Sequence, residues 1–234
     1  MSLLEVCGLN KKFADTQVLS NINFSIFKGE IVGLIGPNGA GKTTMLESMC
    51  GLQPTDGGEV FFEGRKLPPW QLSQAIFYVP DGITPYPEHT LGSLIKFFSQ
   101  VYGIANENVE KVITALELQA MLGRPIVQLS KGWRRRLLLA IGLITPQPLL
   151  IMDEPFDGLD LRQTRAVMQN LKEFAAAGRS LLLSIHQLTD AQRICDRFVL
   201  LSNGQILGEG TLEDLRIKSN IDGSLEEVFL ELSK

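Results

Sequence analysis

Gly36-Pro37-Asn38-Gly39-Ala40-Gly41-Lys42-Thr43-Thr44 carries the spacing GxxxxGK[ST], and that spacing has a phosphate chemistry. Glycines at 36, 39 and 41 let the backbone turn with its N–H groups inward, and a helix that follows adds its positive N-terminal end. Lys42 then contacts the β- and γ-phosphates of a nucleotide, while the Thr43 hydroxyl helps to hold Mg²⁺. Farther on, an apolar run at 148–152 closes on Asp153-Glu154. Asp153 at such a place belongs in the Mg²⁺ shell and Glu154 polarises a water in line with the γ-phosphate, unless the pair merely caps the next helix. His186 ends another apolar run, 180–185, where a histidine is either a hydrogen-bonded structural residue or one that reaches the terminal phosphate. Between these groups, Ser130 opens an apolar stretch that runs to Thr145. Serine is a good N-cap and Gly132 permits close approach, so this helix start can receive an anion much as the glycine loop does. The triple arginine 134–136 reads, taken alone, as a solvated face.

Positioning these groups requires a buried sheet. Residues 30–35 form a branched apolar run ahead of the glycine loop, and 43–51 can form the helix behind it, the context that a phosphate loop needs. Residues 3–35 alternate apolar and polar positions and break at Lys28-Gly29, which predicts antiparallel strands before that run. Phe13 stands where the chain turns between them and suits core or turn packing better than base stacking. Further strands are expected over 59–64 and 75–79, the second ending in Pro80-Asp81-Gly82 and a proline-rich loop that reaches His89; a loop so placed meets a ligand or a partner. From 90 to 122 the apolar spacing becomes helical, predicting a helical insert. A helix containing Val167 and Leu171, strands around 180–185, 198–201 and 205–207, and a helical tail from Leu212 complete the reading.

Length and charge limit the alternatives. The chain has 234 residues, enough for one large domain or a domain with a lobe. A net charge of -4 supplies no field for holding nucleic acid. Cys7, Cys50 and Cys195 are widely spaced, as reduced thiols packed as small core residues would be. No signal peptide or membrane span is expected from the sequence.

Taken in this order, the motifs resemble those of the nucleotide-binding subunit of an ATP-binding cassette (ABC) transporter, over essentially the whole chain. GPNGAGKTT at 36–44 resembles the Walker A motif, LSKGW at 129–133 the LSGGQ signature, and LLIMDEPFDGLD at 149–160 the Walker B motif, catalytic glutamate and D-loop in one piece. His186 falls at the switch histidine and Phe13 at the aromatic that stacks on adenine. The resemblance implies an α/β P-loop NTPase (RecA-like) core with a mainly parallel sheet, an N-terminal antiparallel β subdomain and an inserted α-helical subdomain. It places the core and β subdomain in 1–80 and 146–234, and the helical subdomain with the signature in 81–145. It implies ATP and Mg²⁺ as cofactors, with Thr43, Asp153 and Asp81 toward the metal and Glu154 and His186 in hydrolysis. It further implies a second ATP-binding subunit, here a second copy, whose Ser130 and Gly132 cap the γ-phosphate in trans, and integral membrane permease subunits that hold the chain to the cytoplasmic face of the membrane. Residues 78–103 and the ending from Ser224 look like the ABC-2-type exporters. Three positions depart from the pattern: Asp81 stands at the family's glutamine, Lys131 at a signature glycine and Trp133 at the signature glutamine. Aspartate is still a hard oxygen donor for Mg²⁺, but its charge weakens ATP binding if it stands near phosphate without the metal. Ser130 and Gly132 are retained, so the signature is expected to work. An ATP-gated regulatory clamp with little turnover is the competing reading, whereas an ATPase of translation or DNA repair would bring paired cassettes or long coiled coils.

Overall fold

The alternation that begins at residue 3 becomes a long hairpin in the computed structural model, which describes residues 2–234. Strand β1 (Ser2–Phe13) pairs antiparallel with β2 (Thr16–Phe27), and Ala14 turns the chain at φ 48. The branched run before the glycine loop is β3 (Ile31–Ile35), followed by helix α1 (Lys42–Met49). Next come β4 (Gly57–Phe62), β5 (Arg65–Lys66), a short helix α2 (Pro69–Ala75) and β6 (Ile76–Val79). No apolar periodicity announces α2; Pro69 starts it with the φ that a first turn needs.

The helical insert consists of α3 (Leu91–Val101), α4 (Asn106–Ala115) and α5 (Lys131–Ile144), with short 3₁₀ turns at 119–121 and 126–128. The chain returns through β7 (Leu149–Asp153), α6 (Leu161–Ala176), β8 (Ser180–Ser184), α7 (Leu188–Ile194), β9 (Arg197–Ser202) and β10 (Gln205–Gly210). It ends in α8 (Leu212–Ser219) and α9 (Leu225–Leu232). The tail is therefore broken where the sequence reading had one helical stretch: Asn220 takes a left-handed conformation at φ 55, and Ser224 starts a new helix with a capping box to Glu227. Asparagine is the non-glycine residue that best tolerates that turn.

Two sheets result. The antiparallel one has the order β2-β1-β4-β5; the other has the order β10-β9-β3-β8-β7-β6 and is parallel except for β10. Strands β3, β7 and β8 are buried at every position, which is why they read as continuous apolar runs. Their period of two sends Ile31, Leu150 and Leu181 into the core shared with the helices, and Val32, Leu149 and Leu182 into the core under the antiparallel sheet. Because β3, β8, β7 and β6 are parallel neighbours, their carboxyl ends share one edge. The glycine loop, His186, Glu154 and Asp81 all leave the sheet along it.

Two expectations are corrected by burial. Cys7 is exposed, because it lies on the outward side of β1, whereas Cys50 and Cys195 pack against the two cores as expected. Arg135 and Arg136 are no solvated face: they are 4% and 6% exposed. Among the described residues, no helix is long and apolar enough to cross a membrane.

Candidate functional site

The glycine loop is shaped by close contacts at Gly36 and Gly41. A Cβ on Gly36 would lie 2.3 Å from the Leu201 carbonyl oxygen, and Gly41, at φ 102, is the N-cap of α1 with no side-chain cap. The first-turn N–H groups of α1 therefore face the loop without an internal partner, which is the arrangement that attracts a phosphate. Lys42 is 8% exposed, and its ammonium donates to the carbonyls of Gly36 at 2.8 Å and Pro37 at 3.2 Å. Burial lowers its pKa, with Glu154 and Asp153 opposing.

Across the edge, Asp153 ends β7 with 4% exposure and accepts a hydrogen bond from the Thr43 hydroxyl at 2.8 Å. A hydroxyl beside a single carboxylate is a hard-oxygen pair that suits Mg²⁺, which keeps its waters and takes phosphate oxygens as its other donors. A donor set of one hydroxyl and one carboxylate fits a metal carried with a polyphosphate.

Glu154 follows at φ 52, a left-handed backbone that costs a side-chain-bearing residue about 1–2 kcal/mol. The turn is held from both sides: its N–H donates to the Ser184 carbonyl at 3.1 Å, its carboxylate accepts from the Ser184 hydroxyl at 3.3 Å, and His186 Nε2 lies 3.1 Å from that carboxylate. Burial first, and then the neighbouring Asp153 charge, push the Glu154 carboxyl up to about 7, against the pull of Lys42 and the Ser184 hydrogen bond. A carboxyl poised near neutrality is the type that moves protons.

Phe13, Asn38, Gly39, Gly41, Lys42, Thr43, Thr44, Asp81, Asp153, Glu154 and His186 line one cleft of about 430 Å³, together with Val18. Gly36, Pro37 and Ala40 shape the loop behind it, with Ala40 buried at 3%. Phe13 is 47% exposed, and the Lys11 ammonium lies 4.9 Å from its ring centroid. Ser130 and Gly132 are not part of this cleft. Ser130 is exposed at the N-cap of α5, accepting from the Trp133 N–H at 3.4 Å. Gly132 packs on the turn after β7, where a Cβ would sit 2.7 Å from the Gly158 carbonyl oxygen.

The sequence reading missed Ser184 and Arg135. Ser184 looks like any residue at a strand end, and only the pairing of β7 with β8 brings it to Glu154. Arg135 donates to the Asp81 carboxylate and, at 3.2 Å, to the Asp153 carbonyl. A signal for it existed: from Leu137 onward α5 is apolar on every side, a helix of that kind is buried, and the arginines that lead into it then need partners. Lys131, too, has a partner in its own chain, Asp157 at 2.5 Å.

The sequence pattern described as "ABC transporter" matches residues 19–157. The chain is 32% identical to the ABC-type transporter ATP-binding protein EcsA of Bacillus subtilis, over 100% of this chain and 98% of that one. It is also 32% identical to the Nod factor export ATP-binding protein I of Cupriavidus pinatubonensis, over 97% of this chain and 72% of that one. A solved structure described as the ATP binding subunit of an ABC transporter superposes with a TM-score of 0.92 at 33% identity, covering 100% of both chains. A nucleotide-free ATP-binding cassette from an ABC transporter, at 22% identity and a TM-score of 0.84 over 100% of this chain and 99% of that one, shares the fold.

Proposed function

The chain belongs to the ABC transporter family as an ATP-binding, ATP-hydrolysing subunit, and from that premise we propose that two copies close head to tail on ATP and drive export through a separate membrane protein. The convergence of Lys42, Thr43, Asp153, Glu154 and His186 in one cleft carries the reading. Lys42 and the first turn of α1 bind the β- and γ-phosphates, and Phe13 stacks on the base. Thr43 and Asp153 would hold Mg²⁺, with Asp81 as a further oxygen donor; the metal supplies charge neutralisation on the phosphates. Glu154 orients the attacking water and takes its proton, and His186, whose Nε2 lies 3.1 Å from the Glu154 carboxylate in this structure, turns to the γ-phosphate.

Each Ser130 and Gly132 caps the γ-phosphate bound by the other copy. The outward position of Ser130, away from its own cleft, supports this arrangement, since a helix start that faces solvent is open to an anion held by a second molecule. ATP binding then favours the closed pair and hydrolysis releases it. The membrane partner docks on the loop that leaves β6 and on α3, within a helical segment 81–145 that works as a lobe against the 1–80 and 146–234 core. Exposed Ile83, Tyr86, Phe97 and Val101 on that side support the docking, since such apolar exposure favours a protein contact. The export direction is supported by the name of the Nod factor relative.

Glu154→Gln should lower phosphate release by about 10²–10⁴-fold while ATP binding persists, and should leave an ATP-bound dimer on a sizing column. Turnover at the wild-type rate would overturn the assignment. Negligible Mg²⁺-dependent turnover by the wild-type chain, alone and with its co-purified membrane partner, would instead favour a regulatory clamp.

A further inference from the structure

We propose that Arg135 is a positioning residue of the nucleotide site, which clamps Asp81 to the helix that begins at Ser130 and neutralises an anion that would otherwise face the triphosphate. The proposal rests on the ATPase reading above. Asp81 lines the cleft together with Lys42 and Asp153, and its side chain is 41% exposed. A carboxylate at that position repels a polyphosphate unless a counter-charge accompanies it. Arg135 is that counter-charge. Its side chain is 4% exposed and has no other carboxylate within ion-pair reach among the described residues.

The geometry makes the clamp a three-way joint. One nitrogen of the Arg135 guanidinium donates to Asp81 and another donates to the Asp153 carbonyl at 3.2 Å. The planar fork of arginine suits two such bonds at once, which an ammonium on a flexible stem does not reproduce. Arg134 adds a second tie, donating to the Thr84 hydroxyl at 2.9 Å. The loop after β6, the end of β7 and the start of α5 are thus held together by consecutive arginines. A shift of Asp81 toward or away from a bound nucleotide pulls directly on the helix whose N-cap is Ser130. Lys131 cannot take over the task, because its ammonium is paired with Asp157.

The test is ATP affinity by calorimetry, measured in EDTA and again in Mg²⁺, for wild type, Asp81→Asn, Arg135→Gln, the double variant and Arg135→Lys. In EDTA, Asp81→Asn should tighten ATP by roughly fivefold to tenfold, because Arg135 is left with free charge. Arg135→Gln should weaken it by a similar factor of about fivefold to tenfold, and the double variant should return to within about twofold of wild type. Arg135→Lys, which keeps the charge, should stay within about threefold. In Mg²⁺ the Arg135 differences should shrink, because the metal already neutralises the phosphates, and Asp81→Asn should lose its gain, because it also removes an oxygen donor to the metal. A purely structural arginine predicts that both single substitutions weaken ATP and that the double variant is no better than Arg135→Gln; either result overturns the proposal. If Arg135→Gln fails to fold, the double variant decides it: a return to within about twofold of wild type supports the neutralised pair, whereas affinity as tight as that of Asp81→Asn overturns it. A wild-type chain that bound no ATP would instead remove the ATPase reading itself.

Discussion

The cleft and the start of α5 both present a helix N-terminus, which we propose for phosphate in each case, yet they are built in opposite ways. The cleft is assembled within one chain: the parallel neighbours β3, β8 and β7 bring Lys42, His186 and Glu154 to one edge, and Thr43 is already bonded to Asp153. Ser130, by contrast, is exposed and stands apart from that cleft. Its helix is anchored by its other residues, Gly132 against Gly158, Lys131 on Asp157 and Arg135 on Asp81. The first half is assembled within one chain and the second is anchored but stands apart from it, so in the proposed arrangement catalysis waits on the meeting of two molecules.

Mixing two disabled chains breaks or sharpens that contrast most strongly. Lys42→Ala removes the cleft's phosphate contact and Ser130→Arg blocks the outward face, and each should lower ATP turnover by about 10²-fold or more. Combined in equal amounts, half of the dimers should contain one site with both halves intact, restoring about a quarter of wild-type turnover. No recovery would mean that Ser130 serves its own chain or none. Ser130→Arg alone should also keep ATP binding in the monomer, since Ser130 does not line the cleft.

A smaller effect separates the halves by pH. Glu154 titrates at about 7 in the folded chain against an ordinary 4.5, so between those values the native state holds a proton that the unfolded state has released. Stability falls as pH rises through this window, by on the order of 3 kcal/mol across it, and levels off above it. Thermal denaturation should show Glu154→Gln gaining on wild type from pH 5 to pH 8, whereas Ser130→Ala should lose a pH-independent increment of about 1 kcal/mol from its N-cap. A flat difference between Glu154→Gln and wild type would show that Glu154 is not held near neutrality.

The smallest change is at the rim. Phe13→Ala should weaken ATP by only a few-fold, about 0.5–1.5 kcal/mol, read by the same binding assay, with no effect on ATP-driven pairing once the nucleotide saturates. A loss as large as that of Lys42→Ala would place Phe13 at the centre of the site rather than on its exposed edge.

Much of this was decided locally. The glycine turn, its flanking strand and helix, the acid pair at the end of an apolar run and the serine that caps α5 are each contiguous in the chain, so spacing and residue type suffice to read them. Antiparallel strands ahead of β3 and a helical insert after β6 followed from apolar periods of two and of about 3.6. What the tertiary structure alone decided concerns neighbours distant in sequence. The insertion of β8 between β3 and β7 sets Ser184 under Glu154 and His186 beside it, and the packing of α5 turns Arg135 from an expected surface charge into the buried partner of Asp81. The physical reason is that a backbone turn is fixed by the stereochemistry of a few adjacent residues, while the solvation and pairing of a side chain depend on whatever the rest of the fold brings against it.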